Sequence, residues 1–424
     1  MDASAVEAPQ APPATLELVR KRHNPYLCPP DRASDAGPAP KQSTEMDSLT
    51  QIALGAAVGT AVLGRKVGPR AALWGAVCGT LPDLDVLLPY GDPVRDFTFH
   101  RAESHSLFWL TVASPALALL IHRLHRRAGA SYREWLALVW LALVTHPLLD
   151  AMTVYGTQLL LPFSDYPVGV GSVFIIDPLY TVPLIAGIVG WLWLRNRDPV
   201  RAQRWNAAGL ALSTLYLGWT VAAQSHVEGV VNRTLAASDL AEGRVLVTPS
   251  PFNSVLWRVV VMDDDAYHEG YYSLFDEQPT VRLTRHASEA RLLDDVQDDW
   301  AVRRLAWFSK GFYGVQQAPP EARVANGSAS TLGQMLGLVE TAAADTVPQD
   351  GVAPIVMSDL RMGQTPWFVF AFVVAERDDD GVTAVPTQQV PTQRPPAAVL
   401  PKLWRRIWDE DASVAAAERI HPTR

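Results

Sequence analysis

The sequence predicts a mostly α-helical protein in which a polytopic helical membrane domain of four to six helices precedes a soluble α+β domain. Long apolar runs fill residues 46–224, whereas alternating apolar and polar runs with Pro, Gly and Asp at their turns begin after Gln224. At 424 residues the chain also exceeds the usual size of one domain, so at least two domains are expected.

The N-terminal segment, residues 1–45, is rich in Ala, Pro and Ser and shows no apolar periodicity. Such a composition cannot bury enough apolar surface to offset the entropy of ordering the chain. We therefore predict a disordered tail. Met46 begins the part that we expect to fold, and it is a candidate for the true start of the protein.

The first two apolar runs, residues 49–63 and 71–81, are shorter than the roughly 20 residues that a membrane-spanning helix needs. Gly55 and Gly59 in the first run have the GxxxG spacing that lets two helices approach closely. The two runs therefore predict a tight helical pair, and a buried hairpin of a soluble domain is the alternative.

Four clearer apolar runs follow, and they predict membrane helices. They cover residues 107–121, 135–149, 179–194 and 205–223. Tryptophans lie near the ends of these runs, as is typical of residues at a membrane–water interface.

The distribution of basic residues orients these helices. The connections 122–134 and 195–204 carry several arginines each, whereas residues 151–177 contain no Lys or Arg. The positive-inside rule places the Arg-rich connections in the cytoplasm and residues 151–177 outside. Helix alternation then brings the polar connection 82–104 and the end of the run 135–149 to the same extracytoplasmic side.

Residues 225–380 predict an extracytoplasmic α+β domain. Runs such as SVLWRVVVM and PWFVFAFVVAE predict β-strands, and the spacing of apolar residues in 288–310 predicts an amphipathic helix. Residues 381–400 are rich in proline, so we interpret 381–424 as a Pro-rich linker and a C-terminal segment.

Composition excludes two kinds of function. The net charge is −8 and no block of five or more Lys or Arg occurs, so nucleic-acid binding through a basic face is not expected. The two cysteines, Cys28 and Cys78, lie in the Pro-rich tail and in an apolar run. Neither a disulfide framework nor a Cys-based metal site follows from that placement.

Ionisable side chains concentrate at the ends of the apolar runs on the predicted extracytoplasmic side. Such groups cost free energy beside a membrane unless they are paired or bound to something. The candidate site residues are Asp83, Asp85, His100, His105, His146 and Asp150. Helix alternation and charge distribution bring all six to one membrane face, where they could form a single site.

These residue types suit a metal ion. His146 and Asp150 are four residues apart and project from one face of a helix, and both ligand types bind zinc at about 2.0–2.2 Å. Three histidines with several carboxylates and no cysteine favour zinc or another divalent transition metal over magnesium or calcium.

Structural roles remain open for the same residues. His146 could simply form a hydrogen bond with Asp150 at the helix end, and Asp83 and Asp85 could cap the following helix. Asp177, which precedes Pro178, is better explained as an N-cap. Ser104 is the expected N-cap of the helix that starts near His105.

A metal at this site could activate water and polarise a phosphoryl or carbonyl oxygen. Glu103 is the candidate general base, with Asp96 as the alternative. Arg101 is the candidate for holding an anionic substrate group, although it could instead pair with Asp96 or Glu103. No nucleophile elbow, P-loop or dinucleotide-binding fingerprint competes in this region.

Several short motifs resemble those of the bacterial membrane-bound, metal-dependent hydrolase family called YdjM-like. They are MDSLTQ (46–51), GTLPDLD (79–85), HRAESHS (100–106), HPLLD (146–150), YGTQLLLPF (155–163) and FIIDPLYT (174–181). The later motifs PSPFNSVLW and SDLRMG are similar to those of the family's longer members. The resemblance extends from Met46 to about Ala375.

This resemblance implies a multi-pass protein of the bacterial inner membrane with metal ligands at the six Asp and His candidates and a hydrolase activity. The family is itself distantly similar to zinc-dependent phospholipase C and P1 nuclease, which cut phosphoesters. Two positions depart from its pattern: Gln51 stands where the family often has His, and Ala102 where it often has Gly. The first departure puts a ligand at position 51 in doubt, and the second removes no ligand.

Two functions from different classes follow. The first is a hydrolase in the lipid bilayer that cuts a phosphoester in a lipid or small-molecule substrate. The second is a non-catalytic integral membrane protein whose polar cluster is structural and whose C-terminal domain binds a partner. A transporter is a third possibility, which the small number of helices and the lack of a clear inverted repeat disfavour.

Overall fold

The computed structural model describes residues 47–236, 238–318, 352–391 and 399–414, and the predicted disordered tail 1–45 lies outside them. The N-terminal half of the described chain is helical, and the C-terminal half is rich in β-strands. The helices are α1 (Asp47–Val67), α2 (Pro69–Thr80), α3 (Pro93–Phe99), α4 (Leu107–Leu124), α5 (Tyr132–Asp150), α6 (Pro178–Leu194), α7 (Pro199–Leu235), α8 (Trp300–Phe308) and α9 (Val399–Trp408).

Glycines allow α1 and α2 to pack backbone against backbone. A Cβ atom on Gly55 would lie 2.2 Å from the carbonyl oxygen of Gly75, and one on Gly75 would lie 2.1 Å from that of Gly55. Gly59 and Gly79 face the partner helix at similarly short range. The predicted tight helical pair is therefore confirmed, because side chains at these positions would force the two backbones apart.

Membrane-spanning character is clear for one described helix. Among the described residues, α4 alone is both long and apolar enough to cross a membrane. The apolar helix α6 has 17 residues and α2 has 12, which is less than the roughly 20 that a span requires. The predicted helical domain is therefore confirmed, and it contains one clear candidate span among the described residues. The predicted number of four to six membrane helices is not confirmed.

The β-rich half contains two four-stranded antiparallel sheets and a short hairpin. The first sheet has the order β1-β2-β3-β4, the second β10-β9-β6-β5, and β7 pairs with β8. The strands are β1 (Val245–Pro249), β2 (Leu256–Met262), β3 (Ala266–Ser273), β4 (Leu283–Ala287), β5 (Tyr313–Gln317), β6 (Ala353–Asp359), β7 (Gly363–Gln364), β8 (Trp367–Phe368), β9 (Ala371–Asp378) and β10 (Gly381–Gln389).

Three predicted boundaries need correction. The helix expected to end near Gln224 continues to Leu235, because its last apolar residues pack on the first sheet. The helix expected across 288–310 is divided into a 3₁₀ segment, Ala290–Val296, and α8. Residues 381–389 form β10 instead of a linker. Pro386 is tolerated there because β10 lies at a sheet edge and its pairing is interrupted between Ala384 and Gln388.

An aromatic core joins the two halves close to the candidate site. Phe97 of α3 packs against Phe308 of α8 and against Phe370 and Phe372 beside and within β9, with ring centroids 4.3 to 5.5 Å apart. Tyr155, from the connection between α5 and α6, contacts Phe97 at 5.4 Å. The second sheet and α8 therefore support the segments that carry the predicted site residues.

Candidate metal centre

Four of the predicted side chains converge at one point. Asp83 comes from the 3₁₀ segment Pro82–Leu87, His105 from the 3₁₀ turn Glu103–His105, and His146 and Asp150 from the last turns of α5. One nitrogen or oxygen atom of each lies within 4.8 Å of those of the other three. All four residues are buried. We call this group the Asp/His cluster.

Local sequence explains how the two 3₁₀ segments reach the cluster. Pro82 begins the first one directly after α2, where its fixed φ suits a helical first position. The second ends at His105 and is followed by Ser106, whose hydroxyl accepts the N–H of Trp109 at 3.3 Å and so begins α4. The prediction that Ser104 caps this helix is wrong. The Ser104 hydroxyl instead donates a hydrogen bond to Asp85 and shares another with His105 Nδ1.

Distances within the cluster match the spacing of ligands around one small cation. The two Nε2 atoms of His105 and His146 lie 3.0 Å apart, and Asp150 Oδ2 lies 3.2 Å from each of them. Asp83 Oδ1 lies 3.4 and 3.3 Å from the same two nitrogens. A regular tetrahedron with metal–ligand bonds of about 2.0–2.1 Å has edges of about 3.3–3.4 Å.

Hydrogen bonds on the far side of each imidazole ring set its tautomer. His146 Nδ1 lies 2.6 Å from the carbonyl oxygen of Gly79, which can only accept, so this nitrogen carries the proton. His105 Nδ1 lies 2.8 Å from Ser104 Oγ, whose own proton goes to Asp85 at 2.5 Å, so it also donates. In their neutral form, both rings would therefore present an unprotonated Nε2 to the cluster, as zinc-binding histidines do.

With both rings neutral, four acceptor atoms face one another without a donor between them. Asp150 Oδ2 is buried and has no hydrogen-bond partner in the described part of the chain. Converging buried lone pairs are unfavourable unless a cation or a shared proton lies among them. Two carboxylates and two neutral imidazoles would balance the charge of a divalent ion, so the cluster could hold a divalent transition metal.

The other oxygen of Asp150 is held by two side chains. Gln51 Nε2 donates to Asp150 Oδ1 at 2.8 Å, and the Arg101 guanidinium lies 3.4 Å from the same atom. Both contacts turn Oδ2 toward the cluster. The sequence pointed to Arg101 as a substrate-binding residue or a partner of Asp96 or Glu103, and its buried contact with Asp150 was not foreseen. The role of Gln51 was also missed, although its place in the MDSLTQ motif marked the position.

Asp85 and His100 form a second layer beside the cluster. His100 Nδ1 lies 2.8 Å from Asp85 Oδ1, and the backbone N–H of Arg101 donates to Asp85 Oδ2 at 3.0 Å. Burial alone would raise the pKa of Asp85, but the hydrogen bond and charge of His100 lower it below its ordinary value. The carboxylate orients His105 through Ser104. Direct metal ligation by Asp85 and His100 stays a prediction.

The predicted general bases lie at the edge of the site. Glu103 is exposed, and Asp96 accepts the backbone N–H of Tyr90 at 2.7 Å. Burial raises the pKa of Asp96. Neither carboxylate belongs to the Asp/His cluster, so a catalytic role for either stays a prediction. Asp177 caps α6 as predicted, because it accepts the N–H of Leu179 at 2.9 Å.

A small cavity adjoins the cluster on the side of α6. It has a volume of about 10 Å³ and is bounded by Thr50, Asp150, Thr153, Asp177 and Tyr180, among others. That volume has room for about one water molecule. A water there could contact Asp150 from behind, but a substrate could not occupy the space.

Comparisons with known proteins match the helical half of the chain. The family model described as YdjM inner membrane protein matches residues 46–227. Inner membrane protein YbcI of Escherichia coli (strain K12) is 32% identical over 158 residues, which are 34% of this chain and 90% of YbcI. Uncharacterized protein YfhP of Bacillus subtilis (strain 168) is 32% identical over 157 residues, 34% of this chain, and the match spans only 46% of YfhP. No solved structure matches the chain.

Proposed function

Because the chain belongs to the YdjM inner membrane protein family, we propose that it is a membrane-bound, metal-dependent hydrolase of a phosphoester. The convergence of four buried acceptor atoms from Asp83, His105, His146 and Asp150 is the observation that carries this proposal. The proposal includes zinc as the metal and the distant similarity to zinc-dependent phospholipase C and P1 nuclease that the motifs imply.

The proposed protein crosses the inner membrane several times, and its β-rich region lies on the extracytoplasmic side. Large apolar side chains that are exposed on α4, α6 and α7 support this arrangement, among them Leu120, Trp193 and Leu215, which are 62%, 68% and 71% exposed. Exposed apolar side chains of this size are typical of surfaces that contact lipid. The Arg-rich connections 122–134 and 195–204 support a cytoplasmic position for the opposite ends.

When bound, the metal would supply a Lewis acid that polarises a phosphoryl oxygen and lowers the pKa of a water molecule. The chain's own residues hold and orient the ligands. Arg101 and Gln51 fix Asp150, and Ser104 fixes the ring of His105. Glu103, exposed two residues before His105, is proposed as the group that takes up a proton.

One observation favours a second candidate function. All four members of the cluster are protein side chains and all are buried. Zinc sites with four protein ligands are usually structural, whereas catalytic sites keep one position open. In this alternative the metal ties α5 to the two 3₁₀ segments, and the protein has no hydrolase activity.

Metal analysis of the detergent-purified full chain, combined with a phosphoesterase assay, tests both candidates. The wild type should hold one divalent metal per chain and His146→Ala should hold none. His226→Ala removes an exposed histidine of α7 and should keep the metal. Hydrolysis that a chelator abolishes supports the enzyme. Bound metal without hydrolysis of any phosphoester supports the structural candidate, and a wild type free of metal overturns both.

A further inference from the structure

We propose that the 3₁₀ segment Pro82–Leu87 is a membrane-facing entrance to the Asp/His cluster, so that the substrate is a membrane lipid with a phosphoester head group. The chemistry of this inference rests on the proposed function. The position of the segment in the bilayer does not, and it can be measured separately.

The segment has two faces of opposite character. Asp83 and Asp85 are buried and point into the site, whereas Leu84 and Leu87 are 49% and 55% exposed. A 3₁₀ helix has three residues per turn, so Leu84 and Leu87 lie on the same side. Leu88, directly after the segment, is 60% exposed. Three large apolar side chains beside the Asp/His cluster therefore leave about half or more of their surface uncovered by the described part of the chain.

Further large apolar side chains are exposed on α2, the helix that precedes the segment. Leu73 and Val77, one turn apart on that helix, are 61% and 38% exposed. We call these two residues, together with Leu84, Leu87 and Leu88, the apolar strip. Exposed apolar side chains are unfavourable in water, and a group of them marks an interaction site. Because the strip includes residues of a helix in the predicted membrane domain, lipid acyl chains are the occupant that fits it.

Among the four cluster residues, Asp83 has the most exposed side chain. The side chain of Asp83 is 11% exposed, whereas those of His105, His146 and Asp150 are 0–1% exposed. Asp83 is also the cluster residue next to Leu84. A ligand that approaches the cluster from outside would therefore meet Asp83 first, close to the exposed Leu84.

The β-rich half covers a different approach to the site. Arg361 donates to the carbonyl oxygens of Val154 and Tyr155 at 3.3 and 3.0 Å, and Arg304 donates to Thr98 Oγ1 at 3.0 Å. The Tyr155 hydroxyl in turn donates to the carbonyl oxygen of Phe97 at 2.5 Å. These contacts hold the segments around the site under the second sheet. None of these contacts involves Leu84, Leu87 or Leu88, so the leucine side is the approach that we assign to a lipid.

Site-directed spin labelling in reconstituted bilayers tests the position of the segment. In a Cys28→Ser background, in which the remaining Cys78 is fully buried, Leu87→Cys is labelled with a nitroxide. Collision rates with oxygen, which concentrates in lipid, and with a neutral nickel chelate, which stays in water, are then compared. Leu120→Cys on α4 is the lipid reference, and Asp379→Cys, exposed at the turn between β9 and β10, is the water reference.

We expect the Leu87 label to favour oxygen over the chelate as the Leu120 label does. A label that behaves like the one at Asp379 would overturn the entrance. So would a label protected from both reagents, because a second protein copy would then cover the strip. These outcomes are independent of metal content, so they are distinguishable from a failure of the proposed function.

A comparison of two substrates tests the ligand class. Leu87→Glu places a charge on the strip without touching the cluster. It should reduce hydrolysis of a long-chain phospholipid in vesicles by about tenfold or more and leave hydrolysis of a short-chain, soluble phosphoester within about twofold. Equal loss on both substrates, with metal content unchanged, would overturn the lipid assignment. Asp379→Asn is the control and should alter neither rate.

Discussion

His105 Nε2 and His146 Nε2 lie 3.0 Å apart, although the hydrogen bonds of each neutral ring place its proton on the opposite nitrogen, Nδ1. One ring comes from a 3₁₀ turn and the other from α5, so the pair forms only when these segments pack together. Without a cation, each unsatisfied buried acceptor costs roughly 1–3 kcal/mol. Metal binding and the folding of this region should therefore be coupled.

Chelation of the metal is expected to lower the Tm of the detergent-purified protein by about 5–10 °C. A metal present at a hundred times its Kd stabilises the folded state by about 2.7 kcal/mol, and about 1 kcal/mol corresponds to 2–4 °C for a domain of this size. Thermal unfolding followed by tryptophan fluorescence, with EDTA and then with added zinc, measures the shift and its reversal.

The same measurement on two variants assigns the shift to the cluster. Asp150→Asn should melt at one temperature with or without EDTA, because the unpartnered Oδ2 is lost as an anionic ligand. His226→Ala should respond as the wild type does. An equal response to EDTA in both variants would contradict the metal assignment.

Ser104→Ala is expected to weaken metal binding by about 10- to 100-fold, as the loss of a group that orients a ligand does. The Ser104 hydroxyl donates to Asp85 and accepts from His105, and its removal frees the imidazole ring to turn. Competition with a fluorescent chelator measures the affinity. Ser164→Ala removes a hydroxyl that accepts the N–H of Tyr166 in a surface connection and should not change it. Unaltered affinity in Ser104→Ala would show that Asp85 does not act through this serine.

Some features could be predicted from the sequence because their causes are local. Apolar runs located α1, α2 and α4 to α7, whereas α3 lies in the stretch read as a polar connection. The GxxxG spacing predicted the contact between α1 and α2. The distribution of arginines predicted that residues far apart in sequence share one membrane side. That topology stays a prediction, whereas the convergence of four of the six candidates is observed. For the helices and the glycine contact, a short window of sequence contains the whole physical reason.

Other features depend on tertiary contacts that no short window contains. Gln51 reaches Asp150 across 99 positions, and nothing in the pattern around Gln51 indicates that its amide donates to a carboxylate. Ser104 and Ser106 are equally good caps in sequence, and only the position of Asp85 decides between them. The Pro-rich run at 381–389 forms β10 because β9 offers an unpaired edge. The apolar runs also do not fix the number of spanning helices, because helices such as α2 and α6 are shorter than a full membrane span.

Lys310 is expected to give the protein a pH-dependent stability above neutrality. Its Nζ donates to the carbonyl oxygen of Gly169 at 3.2 Å. Burial, with the Arg361 charge nearby, lowers the pKa of Lys310 to about 8. A base whose pKa is lower in the folded than in the unfolded chain destabilises the fold most below pH 8. That cost disappears as the pH rises toward about 10.4, the unfolded value.

The wild type should therefore gain stability relative to Lys310→Met as the pH rises from 8 to 10, which Tm values across that range would show. Lys66→Met removes an exposed lysine of α1 as a control, and the difference between its Tm and that of the wild type should stay constant from pH 7 to 9. A constant difference between the wild type and Lys310→Met would contradict the lowered pKa.

Gly75→Ala is expected to destabilise the helical half and to weaken metal binding together. A Cβ at position 75 would lie 2.1 Å from the carbonyl oxygen of Gly55, so α1 and α2 must separate, at a cost of about 1–3 kcal/mol or more. Gly79, one turn further along α2, accepts a hydrogen bond from His146 Nδ1 through its carbonyl oxygen, so a shift of α2 moves the group that orients this candidate ligand.

Gly218→Ala on α7 is the control. A Cβ at this position meets nothing within 4 Å, so the variant should gain up to about 1 kcal/mol of stability from helix propensity. Unfolding in denaturing detergent and metal titration measure both effects. If Gly75→Ala and Gly218→Ala had the same stability and the same metal affinity, the close contact of α1 with α2 would not support the cluster.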